Sequence, residues 1–303
     1  MPAEFQTFAR LLIYAIPILI LIAAIEAVVL ARVRKEAYDW RAALASLADF
    51  LLREFVVRRL LPLSLAAPAI AWAWQHRLTT VQLDTVSAFV LLFLGQEFCY
   101  YWFHRASHRV RWFWATHAVH HSPEQLNLAG SYRFGLTGRL SGTALFYVPL
   151  IWLGFPPAAV FLTLSLNLLY QYWLHTTWIP KLGWLEYVFN TPSHHRVHHA
   201  SNPEYLDANY GGVLIIFDRL FGTFIEERAD LPCRYGLVKP LKSYNPIWIA
   251  FHDWVAMARD VWQAPTWRAR VMHMFGPPGW RADGSGATTE NLRRHLAGAA
   301  TGD

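Results

Sequence analysis

The sequence predicts an all-α integral membrane protein with about three transmembrane helices, a helical hairpin and a cytoplasmic helical cap rich in histidine. Three observations carry this prediction. Charged residues are 16% of the 303 and hydrophobic residues 54%, where soluble domains average about 25% charged. Apolar runs alternate with arginine-flanked breaks, at a mean hydropathy of +0.20. The histidines fall in tight groups, "HRASH", "HAVHH" and "HRVHH", rather than scattered.

The first run, residues 11–31, ends at Arg32, Arg34 and Lys35 and is long enough for the roughly 30 Å hydrocarbon layer. Its length, its Glu26 and the lack of a small-residue cleavage site favour a retained anchor over a signal peptide. A second run covers 60–74 and a third 83–103. A fourth apolar block, 143–174, is broken by "GFPP" at 154–157, the mark of two helices meeting in a hairpin that dips into the membrane. Seven Lys/Arg lie between Arg32 and Arg59, against Arg77 alone after the second run, so the first span exits into the cytoplasm. The third then re-enters at "FHRASH", and every histidine group reaches the cytoplasmic face. These runs divide the chain into an anchor region (1–82), a histidine-bearing domain (83–228), an interfacial segment (229–275) and a tail expected to be disordered (276–303). The interfacial segment owes its assignment to an amphipathic helix over 245–263, with Ile247, Trp248, Phe251, Trp254, Val255 and Trp262 at helical spacing.

Composition also excludes function classes. The net charge of +6 comes from basic residues beside apolar runs, which points to a membrane surface and not to nucleic acid. Cys99 and Cys233 are too few for a disulfide framework.

The histidines form four groups. His104 and His108 are i and i+4; His117, His120 and His121 are i, i+3, i+4; His175 ends the hairpin; His195, His198 and His199 repeat the triad, with His194 just before them. Crowded imidazoles repel when protonated and need partners when buried, and a metal meets both demands. Nine are too many for one four-coordinate ion, so two metals fit the count. Glu97 shares a helical face with His104, and Asn167, Gln171 and His175 make a polar stripe in an apolar segment, as groups around a metal would. "TP" at 191–192 reads as an N-cap followed by proline at the first helical position. His76, His252, His273 and His295 read as ordinary histidines. A membrane metal transporter or sensor is the alternative of another class, and would place its ligands along a path at mid-membrane.

This motif set resembles the fatty acid hydroxylase/sterol desaturase superfamily of membrane histidine-box diiron enzymes, over roughly residues 85–225. The stretch "EYVFNTPSHHRVHHASNPEYLDANYGGVLIIFDRLFGTF" (186–224) is most similar to the alkylglycerol monooxygenase-like branch. The resemblance implies metal ligands at His104, His108, His117, His120, His121, His175, His195, His198 and His199. It adds His194 as a tenth candidate, Gln171 in a variable slot, and Asp207, Asn209 and Tyr210 near the site. It further implies two iron ions (zinc being able to occupy an isolated form) and O2 as co-substrate, acting on a membrane lipid by hydroxylation or desaturation. Electrons would come from an external reductase, ferredoxin or cytochrome, or from a reduced pterin. The expected location is a bacterial inner membrane. The branch carries an acidic residue directly after the first box, where this chain has Arg109.

Overall fold

The computed structural model describes residues 3–57 and 64–301, and every regular element among them is helical. Helix α1 (Ala3–Val28) continues into a wider π-type turn, Val29–Val33. Its window Tyr14–Val33 is one of two described segments long and apolar enough to cross a membrane. Ile18, Leu21, Ile22 and Ile25 face outward, whereas Glu26 is buried and accepts from the Leu128 amide at 2.7 Å and the Trp178 indole at 3.1 Å. A carboxylate in an apolar helix is tolerated because it faces the protein interior.

Helix α2 (Trp40–Leu51) starts at Asp39, whose carboxylate accepts from the Ala42 amide. The run expected to be the second span is described only in part. Its residues 60–63 lie outside the described residues, and the rest forms helix α3 (Ala67–Gln75) of nine residues. At 1.5 Å per residue that is about 14 Å, half of what a crossing needs. Pro68 sets its start, and its apolar character serves packing, since Ile70, Ala73 and Trp74 pack into the core against the hairpin.

The other spanning segment is α4 (Val86–Arg109), begun by a Thr85 side-chain cap. It exposes Val86, Phe89, Val90, Leu91, Leu94 and Phe98 while burying Leu92, Gln96, Glu97, Tyr100 and His104. One face suits lipid and the other forms a polar interior. A single extended residue, Val110, separates it from α5 (Arg111–His121). The hairpin is α6 (Val148–Leu153) and α7 (Pro157–Tyr172). Gly154 turns between them at φ +115°, where an added Cβ would stand 2.4 Å from the Thr79 carbonyl oxygen, so only glycine fits. Leu92, Cys99, Tyr147, Leu150, Ile151, Phe155 and Val160 form the apolar core between α4 and the hairpin.

Helices α8 (Pro192–His198) and α9 (Ile216–Leu220) are short, and α10 (Pro246–Gln263) and α11 (Trp267–Phe275) follow. Helix α10 buries Ile249, Ala250 and Met257 while Ile247, Trp248, Phe251, Val255 and Trp262 stay exposed. The segment read as a disordered tail instead carries α12 (Thr289–Thr301), held by charged contacts described below. Thr191 precedes α8 but caps nothing, because its hydroxyl donates to Glu186 at 2.9 Å.

Candidate metal centre

The nine expected histidines gather into two adjoining sets at the end of α4. His104, His108, His117, His121 and His198 have ligand nitrogens all within 4.8 Å of one another, and so do His120, His175, His195 and His199. The sets abut, with the His121 and His199 rings stacked at 4.3 Å. Each triad is divided between them. Helix α5 gives its i, i+4 pair His117 and His121 to the five-histidine set and His120 to the other; α8 gives His195 and His199 to the four-histidine set and His198 to the first. The likeness of the two triads in sequence thus corresponds to reciprocal roles in space.

Backbone carbonyls fix the tautomers, because a carbonyl oxygen only accepts. The Nδ1–H of His104 donates to Tyr210 (2.8 Å), that of His120 to Arg133 (3.1 Å), that of His175 to Gln171 (2.9 Å) and that of His198 to Ala208 (2.9 Å). Each Nε2 is then a bare lone pair. Those of His120 and His175 face each other at 3.1 Å with no proton left to place between them. Burial pushes His117, His121, His175, His195 and His199 well below the ordinary imidazole range, His120 down to about 4 and His198 to about 3. A proton therefore does not relieve the facing lone pairs, whereas a cation does. Other Nε2 pairs, His104–His117, His175–His195 and His195–His199, stand at 3.0 Å and His117–His121 at 3.2 Å. Two nitrogens about 2.1 Å from one ion are about 3.0 Å apart at a right angle and about 3.4 Å at the tetrahedral angle. The observed spacing fits an ion with more than four ligands. The Nε2 atoms of His108 and His198 are buried without a protein partner, as metal-directed atoms would be.

The surrounding residues hold this arrangement. Asp207 and Asn209 both adopt φ +57°, and this alternation aims the carbonyls of Ala208 and Tyr210 at His198 and His104. Asp207 sets its carboxylate 3.8 Å from His108 Nδ1 and 2.6 Å from Arg109. Asn209 does not reach the imidazoles; its side chain donates to the backbone carbonyls of His194 and Ile225 and accepts from the Ile225 amide. Glu97 likewise stands back, accepting from the Val213 and Leu214 amides at 2.9 Å and from the Asn167 amide group. Asn167 accepts from Gln171, and Gln171 from the Tyr100 hydroxyl at 3.0 Å. Gly212 passes so close to Asn167 that a Cβ would be 2.1 Å from its amide nitrogen. His194 lies outside both sets, 3.8 Å from Glu186 and against the Phe224 ring.

Two residues that sequence reasoning passed over complete the frame. Asp218 on α9 accepts from the Tyr210 and Gly211 amides and the Thr223 hydroxyl, each at 2.7 Å, although burial pushes its carboxyl up to about 6. Arg133, whose carbonyl holds His120, is buried and donates to Ser46, Ser122 and the Ala42 carbonyl. Beside the four-histidine set, His120, His175, His199, Gln125, Leu126 and Tyr235 line a cavity of about 10 Å³, room for a molecule the size of water.

Residues 89–223, which include all nine histidines of the two sets, match the family model for fatty acid hydroxylase. This region belongs to the fatty acid hydroxylase family. The chain is 40% identical to alkylglycerol monooxygenase of Homo sapiens over 218 residues, 72% of this chain and 48% of that protein. It is 40% identical to the Xenopus tropicalis alkylglycerol monooxygenase over 205 residues, 68% and 45% of the respective chains. It is 37% identical to ornithine lipid hydroxylase OlsE of Rhizobium tropici over 133 residues, 42% and 39%. The chain spans about half the length of the alkylglycerol monooxygenases it matches. No solved structure matches it significantly. Family membership and the two histidine sets together support iron binding, and the apolar helices support a membrane protein.

Proposed function

We propose that the chain is a membrane-bound diiron oxidoreductase that uses O2 to hydroxylate, or to desaturate, a C–H bond of a membrane lipid. The observation carrying this reading is the convergence of imidazole lone pairs in two abutting sets, with tautomers fixed by backbone carbonyls. His104, His108, His117, His121 and His198 would hold one iron; His120, His175, His195 and His199 would hold the other. Bound there, the irons supply the O2-dependent oxidation that no side chain can perform. The chain's own residues do the remaining work. Carbonyls of Ala208, Tyr210, Arg133 and Gln171 fix the tautomer and orientation of the imidazoles, while burial keeps them neutral. The outward apolar face of α4 and the hairpin offer a lipid chain a route from the bilayer toward the site. The small cavity beside His120, His175 and His199, with room for a molecule the size of water, lies against the four-histidine set.

Relatives named for monooxygenation of alkylglycerols and hydroxylation of an ornithine lipid support a lipid substrate. An external donor, of reductase, ferredoxin or cytochrome type or a reduced pterin, supplies electrons. The basic residues from Arg32 onward favour a cytoplasmic histidine centre in a bacterial inner membrane. Ligands closed into two compact sets suit catalysis better than transport along a path. The test is expression with iron, comparing lipid extracts by mass spectrometry with a His120→Ala/His198→Ala variant. A lipid that gains one oxygen only with intact histidines supports hydroxylation, and loss of two hydrogens supports desaturation. A chain that binds no metal overturns the reading.

A further inference from the structure

The C-terminal helix reaches the histidine centre through a short relay. Arg109 directly follows His108, and its guanidinium bridges Asp207 at 2.6 Å and Glu290 on α12. One turn on, Arg293 donates to the carbonyls of Pro203 at 3.1 Å and Leu206 at 2.6 Å. These contacts clamp both sides of Asp207, the residue whose left-handed conformation begins the loop that serves His108, His198 and His104.

We propose that α12 is a positioning element for the five-histidine set, with Glu290 acting through Arg109 and Arg293 through the 203–206 turn. The inference rests on the metal-binding reading above and adds a distinction between the two sites. Three of the five histidines take a partner from residues 207–210. The four-histidine set depends on other supports, the carbonyls of Arg133 and Gln171, which α12 does not touch. Helix α8, which serves both sets, has its own anchor. Arg196 makes paired contacts of 2.7 Å with Glu227 and donates to the Thr176 and Ile179 carbonyls. Loosening α12 therefore frees the 207–210 loop without moving the frame of the four-histidine set.

The experiment uses the full chain in detergent, loaded with iron, and follows release of iron to a chelator. In a Glu290→Ala/Arg293→Ala variant one of the two ions leaves about tenfold faster, in line with the usual effect of removing ligand-orienting groups, while the other keeps its wild-type rate. Glu290→Ala alone shows the same selective loss and Glu290→Asp, which keeps a carboxylate for Arg109, does not; a helix needed only for folding would not give this phase-selective loss and rescue. Equal acceleration of both ions, or wild-type release in the double variant, overturns the proposal. A wild-type chain that binds no iron overturns instead the reading beneath it.

Discussion

Replacing Asp218 by Asn tests how the site loop is held. The carboxylate accepts from two backbone amides and one hydroxyl, each at 2.7 Å, and the residue is buried. Asn keeps the size but offers one oxygen, and its NH2 group must face either the Tyr210 or the Gly211 amide. One buried N–H loses its acceptor and meets another donor. Losing a charge-assisted bond and orphaning its donor costs about 3 kcal/mol. For a chain of this size about 2 °C accompanies each kcal/mol, so the unfolding midpoint in detergent should fall by about 6 °C. Tyr210 also carries the carbonyl that orients His104, so iron affinity should drop about tenfold at the set containing His104. Calorimetry and metal titration of the same preparations give both numbers. An Asn variant that melts and binds iron like the wild type would refute the idea that Asp218 shapes this loop.

Further outcomes follow from the same geometry. The metal-free protein should lose stability as pH falls below about 6.5. Histidines such as His120 (about 4) and His198 (about 3) stay neutral when folded but protonate on unfolding, so the unfolded state binds more protons, and each adds up to about 1.4 kcal/mol per pH unit to the decline. Asp218, pushed up to about 6, opposes this below that pH, as do Asp49 and Asp253, which burial also raises, but the histidines outnumber them; iron-loaded protein should resist acid to lower pH, and urea titrations across pH 4.5–7.5, about the range the imidazoles span, would show both trends. His194→Ala should retain both irons while His198→Ala loses iron, measured by elemental analysis; equal loss would bring His194 into the ligand set. Gly154→Ala should disrupt the hairpin turn and cut the yield of folded protein in size-exclusion runs, because its Cβ would collide with the Thr79 carbonyl.

What the sequence discloses here is what neighbouring residues decide. Histidines spaced i, i+3, i+4 share a helix face wherever that helix packs, so their grouping is legible, as is the long apolar run ending in His104 and His108. The division of each triad between two sets depends on how α5 and α8 meet across some eighty residues of chain, and spacing alone is silent on it. Asp218 and Arg133 escape for the same reason, since their partners, backbone groups and serine or threonine hydroxyls, are brought near only by the fold. The 60–74 run reads as apolar in either setting, because apolar composition serves core packing as well as lipid contact; its described part, α3, packs Ile70, Ala73 and Trp74 into the core. The tail misleads. Composition rules weigh apolar burial, but α12 docks through Glu290 and Arg293 onto a cation and bare carbonyls.

The exchange of one histidine between α5 and α8 has a consequence for how the centre is assembled and lost. Neither set can close with one of these helices in place, so a first ion captured by either set draws both helices together and leaves the second set formed. Loading should then approach all-or-none, and half-filled chains should be scarce during biosynthesis. The same linkage acts in reverse where α5 or α8 itself is displaced: losing either helix costs both ions, whereas loosening the 207–210 loop costs only the ion of the five-histidine set.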